Sequence, residues 1–320
     1  MTLHPVADEL LFRDSAADDP RLGSLVKTGT LDDARSLKPT VALIGLPDDR
    51  GIVAGSGRAG AAAGPTALRR IFYKMTLGDH DELRGCVLFD AGDVALAPTV
   101  EETHAHAETA VSELLSTGAR VVLLGGGHDG AYASQAALLA SLPPEARGSV
   151  VNVDAHLDVR PLKDGTIITS GTAFRRLADR FGARLKLVEL ASQPQVTASA
   201  HRWFLEQRGD VVQSLPELRT HAHGVGAAMR SALSAAAWAT TVGVSLCLDS
   251  VRAADAPGVS APQPDGLSAA EFLEVAQAAG EHRQVRVLDV VELSPPFDHD
   301  GRTARLAALA VWRFCAATVR

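Results

Sequence analysis

Aromatic residues are scarce in this chain, at 4%, and cysteines number three in 320 residues, at positions 86, 247 and 315. A core without aromatic bulk has to be assembled from Ala, Leu and Val, as where helices pack closely on a parallel sheet. An odd number of cysteines at irregular spacing does not build a disulfide framework; Cys86 and Cys315 read as buried packing residues. No run of about 18 apolar residues is present to span a bilayer, and no basic start leads into an apolar stretch. A soluble, cytoplasmic protein is expected. Basic residues are outnumbered, 31 Lys and Arg against 38 Asp and Glu, for a formal charge of −7. That balance argues against nucleic-acid or membrane-surface partners and for a small molecule.

What is abundant is apolar residue, 46% of the chain, ample for one large core. Residues 1–38 are polar, with an acidic cluster from Asp14 to Asp19, and read as an N-terminal extension on the surface or at a subunit contact. Residues 39–320 show no composition break and are expected to form a single domain. Its first strand is Thr40 to Leu46, followed by a glycine-rich loop and a helix from Pro65 to Lys74. The GSGRAG within that loop (residues 55–60) imitates a dinucleotide fingerprint, but the helix begins too late for a phosphate loop. Val87 to Phe89 reads as a short strand, and Thr103 to Ser116 as a helix whose His104 and His106 face solvent. Ala131 to Leu142 is a further helix, closed by two prolines. Strand and helix alternate to the end, predicting an α/β fold with a mostly parallel sheet and helices on both faces. The final helix, Ala304 to Thr318, is apolar enough for an interface, which makes a homo-oligomer possible.

Three stretches carry chemistry. VNVDAHLDVR ends an apolar run with Asp154, His156 and Asp158, which share one side if the strand continues. ARVVLLGGGHDG presents His128 after three glycines, which allow close backbone approach at a strand end. TTVGVSLCLDS places Cys247 and Asp249 two apart on a third run. Carboxylates with imidazole suit divalent ions such as Mn²⁺, Fe²⁺ or Zn²⁺, and a carboxylate can bridge two of them. In open α/β sheets, sites lie outside the carboxyl ends of the strands, where all three stretches finish.

GGGHD, NVDAHLD, SLCLD and DVVELSPPFDHDGRTARLAA, in that order, together with GIVAGSGRAGAAAGPTALRR, resemble the signatures of the arginase–agmatinase–formimidoylglutamase family of dimanganese hydrolases. The resemblance runs from about Pro39 to the C-terminus and implies a three-layer arginase-like fold. GGGH, the SGTAF segment with Arg175 close behind DAHLD, and the loop Ala256 to Pro262 are most similar to the formimidoylglutamase branch. The resemblance implies two divalent ions, one on His128, Asp154, Asp158 and residue 247, the other on Asp154, His156, residue 247 and Asp249. It implies hydrolysis of N-formimidoyl-L-glutamate to L-glutamate and formamide by a metal-bridging hydroxide, with Asp249 and Glu292 as catalytic carboxylates and Glu292 facing the amidinium. Arg58, Arg160, Ser170 and Arg175 are candidate substrate contacts, the arginines by bidentate pairing with carboxylates.

One position departs from the pattern. Where the family reads Ser-x-Asp-x-Asp, this chain has Cys247, a softer ligand with longer bonds that shifts preference from Mn²⁺ towards Fe²⁺, Co²⁺ or Zn²⁺. Alternatives are a hydrolase of another guanidino or amidino compound, similar to agmatinase or a guanidino-acid hydrolase, and a catalytically impaired relative that binds the ligand without turning it over.

Overall fold

The computed structural model describes residues 2–13, 16 and 18–319; part of the acidic cluster, Asp14, Ser15 and Ala17, lies outside them. Among the described residues ten strands form one sheet: β1 (Leu3–His4), β2 (Lys27–Thr28), β3 (Val41–Leu46), β4 (Leu88–Val94), β5 (Arg120–Gly125), β6 (Gly148–Val153), β7 (Leu185–Ser192), β8 (Val211–Ser214), β9 (Thr241–Cys247) and β10 (Val285–Val291). The spatial order is β1-β4-β3-β5-β10-β9-β6-β7-β8, with β2 also on β4. Every pairing is parallel except β1 on β4.

The central strands are buried along their whole length, which is why they read as continuous apolar runs. Period-two alternation then sorts neighbours to opposite faces. Leu43 and Leu124 join Leu288, Phe272, Val311 and Phe314 in one cluster, while Ile44 and Leu123 join Phe89, Val111 and Leu114 in another. Small residues on the covering helices let them approach closely, so a core with few aromatics suffices.

Several sequence expectations are refined. The strand expected at Val87 to Phe89 runs on to Val94 because Asp90 and Asp93 are neutralised by the buried Arg69, at 2.8 and 2.5 Å. The first 38 residues do more than lie on the surface. They add two short strands beside β4 and place Leu11, Leu22 and Val26 in the core. The final helix, Arg302–Thr318, packs its apolar face on the helices Ala269–Glu281 and Gly64–Phe72 of its own chain. Cys315 is buried there, whereas Cys86 is only half-buried. His104 is not solvated: it is 1% exposed, wedged between Asp129 and Arg176. Among the described residues no helix is long and apolar enough to cross a membrane.

Candidate metal centre

Four adjacent strands, β5, β10, β9 and β6, point their carboxyl ends at one place. β5 ends in Gly125, and two further glycines lead to His128. At Gly126 a side chain is excluded, since a Cβ would lie 2.2 Å from the carbonyl oxygen of Asp48. The Gly126 carbonyl accepts the Glu292 N–H at 2.8 Å, and the His128 N–H donates to Oε1 of Glu292 at 2.9 Å. Glu292, just past β10, is thereby held at φ 71, a left-handed conformation that a non-glycine residue keeps only when its surroundings dictate it.

β6 stops at Val153, so strand alternation does not deliver Asp154, His156 and Asp158. A turn does so instead, with Asp158 at φ 46 and the His156 N–H donating to Oδ1 of Asp154 at 2.8 Å. The convergence expected from the sequence is met by a different route. His128 Nδ1 lies 2.8 Å from Oδ2 of Asp154 and 2.9 Å from Oδ2 of Asp158. His156 Nδ1 lies 3.3 Å from Oδ1 of Asp154 and 3.3 Å from Oδ2 of Asp249. Two ligand groups result, His128–Asp154–Cys247 and Asp154–His156–Asp249, and they share Asp154.

The electrostatics are those of a crowded, dry carboxylate cluster. Burial, then Asp154, pushes Asp249 up to about 6. Burial, then Asp249, pushes Glu292 up to about 8. Burial opposes the charge of His156, but Asp249 and Asp154 outweigh it and raise the imidazole to about 12. His128 is raised in the same way by Asp154 and Asp158. The Cys247 thiol is driven well up by burial and by Asp154, Asp249 and Glu292, and its Sγ lies 2.7 Å from Oδ1 of Asp249.

The donor set fits two divalent cations. His128 Nδ1 and Asp154 Oδ2 are buried and close, yet neither has a partner in hydrogen-bond geometry, as for lone pairs aimed at a common point and not at each other. The Asp154–His156–Asp249 group is purely oxygen and nitrogen, while the other group contains the thiol. A metal ion held there would displace the Cys247 proton, which would make its affinity pH-dependent.

Above the cluster lies a cavity of about 160 Å³ lined by His128, His156, Asp249 and Glu292 at its floor and by Arg160 and Ser170 at its side. The two other candidate substrate contacts are engaged elsewhere. Arg58 donates to the carbonyls of Val259 (2.6 Å) and Ser260 (3.1 Å) and stacks on Phe297, clamping that loop. Arg175 pairs with Asp179 at 3.1 Å and stacks on Phe204. Neither lines the cavity. Sequence reading overlooked Ser260, whose hydroxyl donates to Oε2 of Glu292, although it sits in the loop already singled out. Thr169 and Gly171, also cavity residues, flank Ser170 without a distinguishing signal.

Comparison with known proteins agrees with this geometry. The arginase family profile matches residues 39–316. A formimidoylglutamase of Aromatoleum aromaticum is 35% identical over 292 residues, covering 86% of this chain and 82% of its own. That of Salmonella typhi is 31% identical, covering 94% of each. The crystal structure of Trypanosoma cruzi formiminoglutamase with Mn²⁺ superposes with a TM-score of 0.84 at 32% identity, covering 94% of this chain and 98% of that one.

Proposed function

The chain belongs to the arginase family, and on that footing we propose that it hydrolyses N-formimidoyl-L-glutamate to L-glutamate and formamide. The observation that carries the proposal is the pair of ligand groups sharing Asp154 at the floor of a small cavity, with Glu292 beside them. The formimidoylglutamase relatives, similar over nearly the whole chain, support the choice of substrate. His128, Asp154, Asp158 and Cys247 would hold one ion, and Asp154, His156, Cys247 and Asp249 the other. When bound, two divalent ions, Mn²⁺ as in the Trypanosoma cruzi relative or the softer Fe²⁺, Co²⁺ or Zn²⁺ that Cys247 tolerates, supply the Lewis acidity that makes water a nucleophile at neutral pH.

The chain's own groups do the rest. Glu292, fixed by the His128 N–H and the Ser260 hydroxyl, faces the cavity where the amidinium enters. A cation there favours its charged form, and the carboxylate orients the amidine and stabilises charge as the C–N bond breaks. Asp249, at the cavity floor, is placed to pass a proton from the attacking water to the departing glutamate nitrogen. Arg160 at the cavity side is placed to pair a substrate carboxylate, with Ser170 adding a hydroxyl.

Arg160 is the one Arg or Lys among the described residues lining the cavity, which favours a second reading, a guanidino acid with a single carboxylate. The deciding experiment is formamide release from N-formimidoyl-L-glutamate by metal-stripped protein given Mn²⁺, Fe²⁺, Co²⁺ or Zn²⁺ singly, beside urea release from a guanidino-acid panel. Formamide release with any one ion establishes the substrate. Urea alone transfers the activity to the second reading, and metal binding with no turnover of either leaves a ligand-binding relative.

A further inference from the structure

Arg58 is exposed and stands outside the cavity, yet its guanidinium holds two other segments of the chain at once. The parallel Nε and Nη2 N–H groups donate to two successive carbonyls, Ser260 at 3.1 Å and Val259 at 2.6 Å, and no other described donor reaches either oxygen. Its flat face lies 3.9 Å from the ring centre of Phe297, which ends a short helical turn, Pro295–Phe297, begun three residues after Glu292. Loop and turn are joined again where the Ser294 N–H donates to the Gly258 carbonyl at 2.7 Å. The base of the loop carrying Arg58 is equally fixed. The Gly60 N–H donates to Oδ2 of Asp49 at 2.6 Å. Gly60 has φ 137, and a Cβ there would fall 2.6 Å from Oγ of Ser294 and 2.9 Å from Pro296, so only glycine lets the loop come this close to the segment after Glu292.

What this clamp controls is one hydroxyl. Ser260 lines the cavity and donates to Oε2 of Glu292, while the His128 N–H donates to Oε1. One donor on each oxygen fixes the plane of the carboxylate and leaves its other lone pairs to the cavity. The His128 donor belongs to backbone just past a central strand, whereas the Ser260 donor stands on a loop whose adjacent carbonyls are both held by Arg58. We propose that Arg58 is a positioning residue for the reaction, holding the Val259–Ser260 backbone so that the Ser260 hydroxyl keeps Glu292 aimed into the cavity. A guanidinium suits the task because its fork spans two neighbouring carbonyls while its plane stacks on a ring. A lysine ammonium does neither. The inference rests on the proposed hydrolysis, with Glu292 as the carboxylate that orients the amidine, and it takes Arg58 out of the substrate contacts.

The test uses the whole chain loaded with metal, acting on N-formimidoyl-L-glutamate or, where only that is turned over, on a guanidino acid. Arg58→Ala is expected to lower kcat about 10–100-fold, as a displacement of about 1 Å at a reacting group does, with KM kept within about threefold. Arg58→Lys is expected to lose nearly as much. Ser260→Ala is expected to lower kcat similarly, and adding Arg58→Ala to it to give no further loss, because both act through one hydroxyl. Apart from turnover, amide hydrogen exchange in Arg58→Ala is expected to quicken in peptides covering residues 256–263 and to match the parent elsewhere. A KM raised about tenfold or more with kcat kept makes Arg58 a substrate contact and overturns the proposal. Rescue by lysine, losses that multiply in the double variant, unchanged exchange in that loop, or exchange that quickens throughout the chain overturn it equally. An active parent with unaffected variants refutes this role alone. A parent that turns over neither substrate refutes the hydrolase reading and this role with it.

Discussion

Replacing Cys247 by Asp restores the family's Ser-x-Asp-x-Asp pattern and separates the electrostatics of the cluster from its metal chemistry. Cys247 is 1% exposed, with Sγ 2.7 Å from Oδ1 of Asp249 and with Asp154 and Glu292 close enough to perturb it. A carboxylate there adds like charge to a site already crowded with it. Two unit charges about 4 Å apart repel by about 4 kcal/mol at an effective dielectric of 20. The new carboxyl can instead take up a proton, which from an ordinary value near 3.9 costs roughly 4 kcal/mol at pH 7. Both routes give a similar loss in the metal-free protein. Unfolding entropy of about 2.1 cal/mol/K per residue over 320 residues converts it to a fall of about 6 °C in Tm. The new group's folded pKa is raised, so the deficit is absent below about pH 4 and grows by about 1.4 kcal/mol per pH unit until that pKa is reached. With metal the order reverses, because no buried thiol proton has to be displaced and a hard ligand replaces a soft one. Calorimetry of the metal-stripped proteins from pH 4 to 8, followed by competitive Mn²⁺ and Zn²⁺ binding, reads both halves. A variant as stable as the parent at pH 7 without metal, with unchanged preference between Mn²⁺ and Zn²⁺, would refute the reasoning.

Glu292→Gln removes a carboxyl whose pKa is raised from 4.5 to about 8. That raised value penalises folding increasingly as pH rises from about 4.5 to 8, so the metal-free variant should gain up to about 3 kcal/mol at pH 7 and nothing at pH 4 by calorimetry. Its kcat should fall at least about 100-fold in the formamide assay. Arg160→Ala is expected to raise KM about 10–100-fold with kcat nearly kept, in line with one charge-assisted pair. Arg175→Ala should leave KM within about twofold, because its pair with Asp179 is an exposed helical one. His104→Ala leaves the buried Asp129 carboxylate without its partner and takes one contact from half-buried Arg176, and should lower stability by about 3 kcal/mol in denaturant titration.

How far the sequence could be read depended on the range of the interaction that decides each residue's place. Strands such as Val41–Leu46 and Gly148–Val153 announce themselves because burial on both faces leaves a continuous apolar run. The residues proposed to hold metal were readable because each stands just past the end of such a run, and in this topology strand ends meet. Asp158 shows the limit, since it reaches the cluster through a left-handed turn beyond the strand and period-two reasoning named it for a geometry it does not use. Arg175 was selected for proximity along the chain to the site and Arg58 because its loop lies beside the substrate mouth in similar proteins, but their partners are a helix neighbour and a loop about 200 residues away, respectively. His104 was placed in solvent because a helical stripe records only its own apolar face, whereas Asp129 and Arg176 arrive from other elements to satisfy both ring nitrogens. Ser245 and Asp289 are the sharpest case. Both lie inside recognised motifs, one position among several in each, and nothing local marks them as partners. They meet beside His128 only because β9 and β10, with 37 residues of chain between them, settle into a register that sets one opposite the other, Ser245 Oγ lying 3.0 Å from His128 Nε2. Motif letters therefore carried the ligands, whose chemistry is visible in the side chain itself. The residues behind them carry ordinary hydroxyls and carboxylates, and their place beside the cluster comes only from the strand pairing.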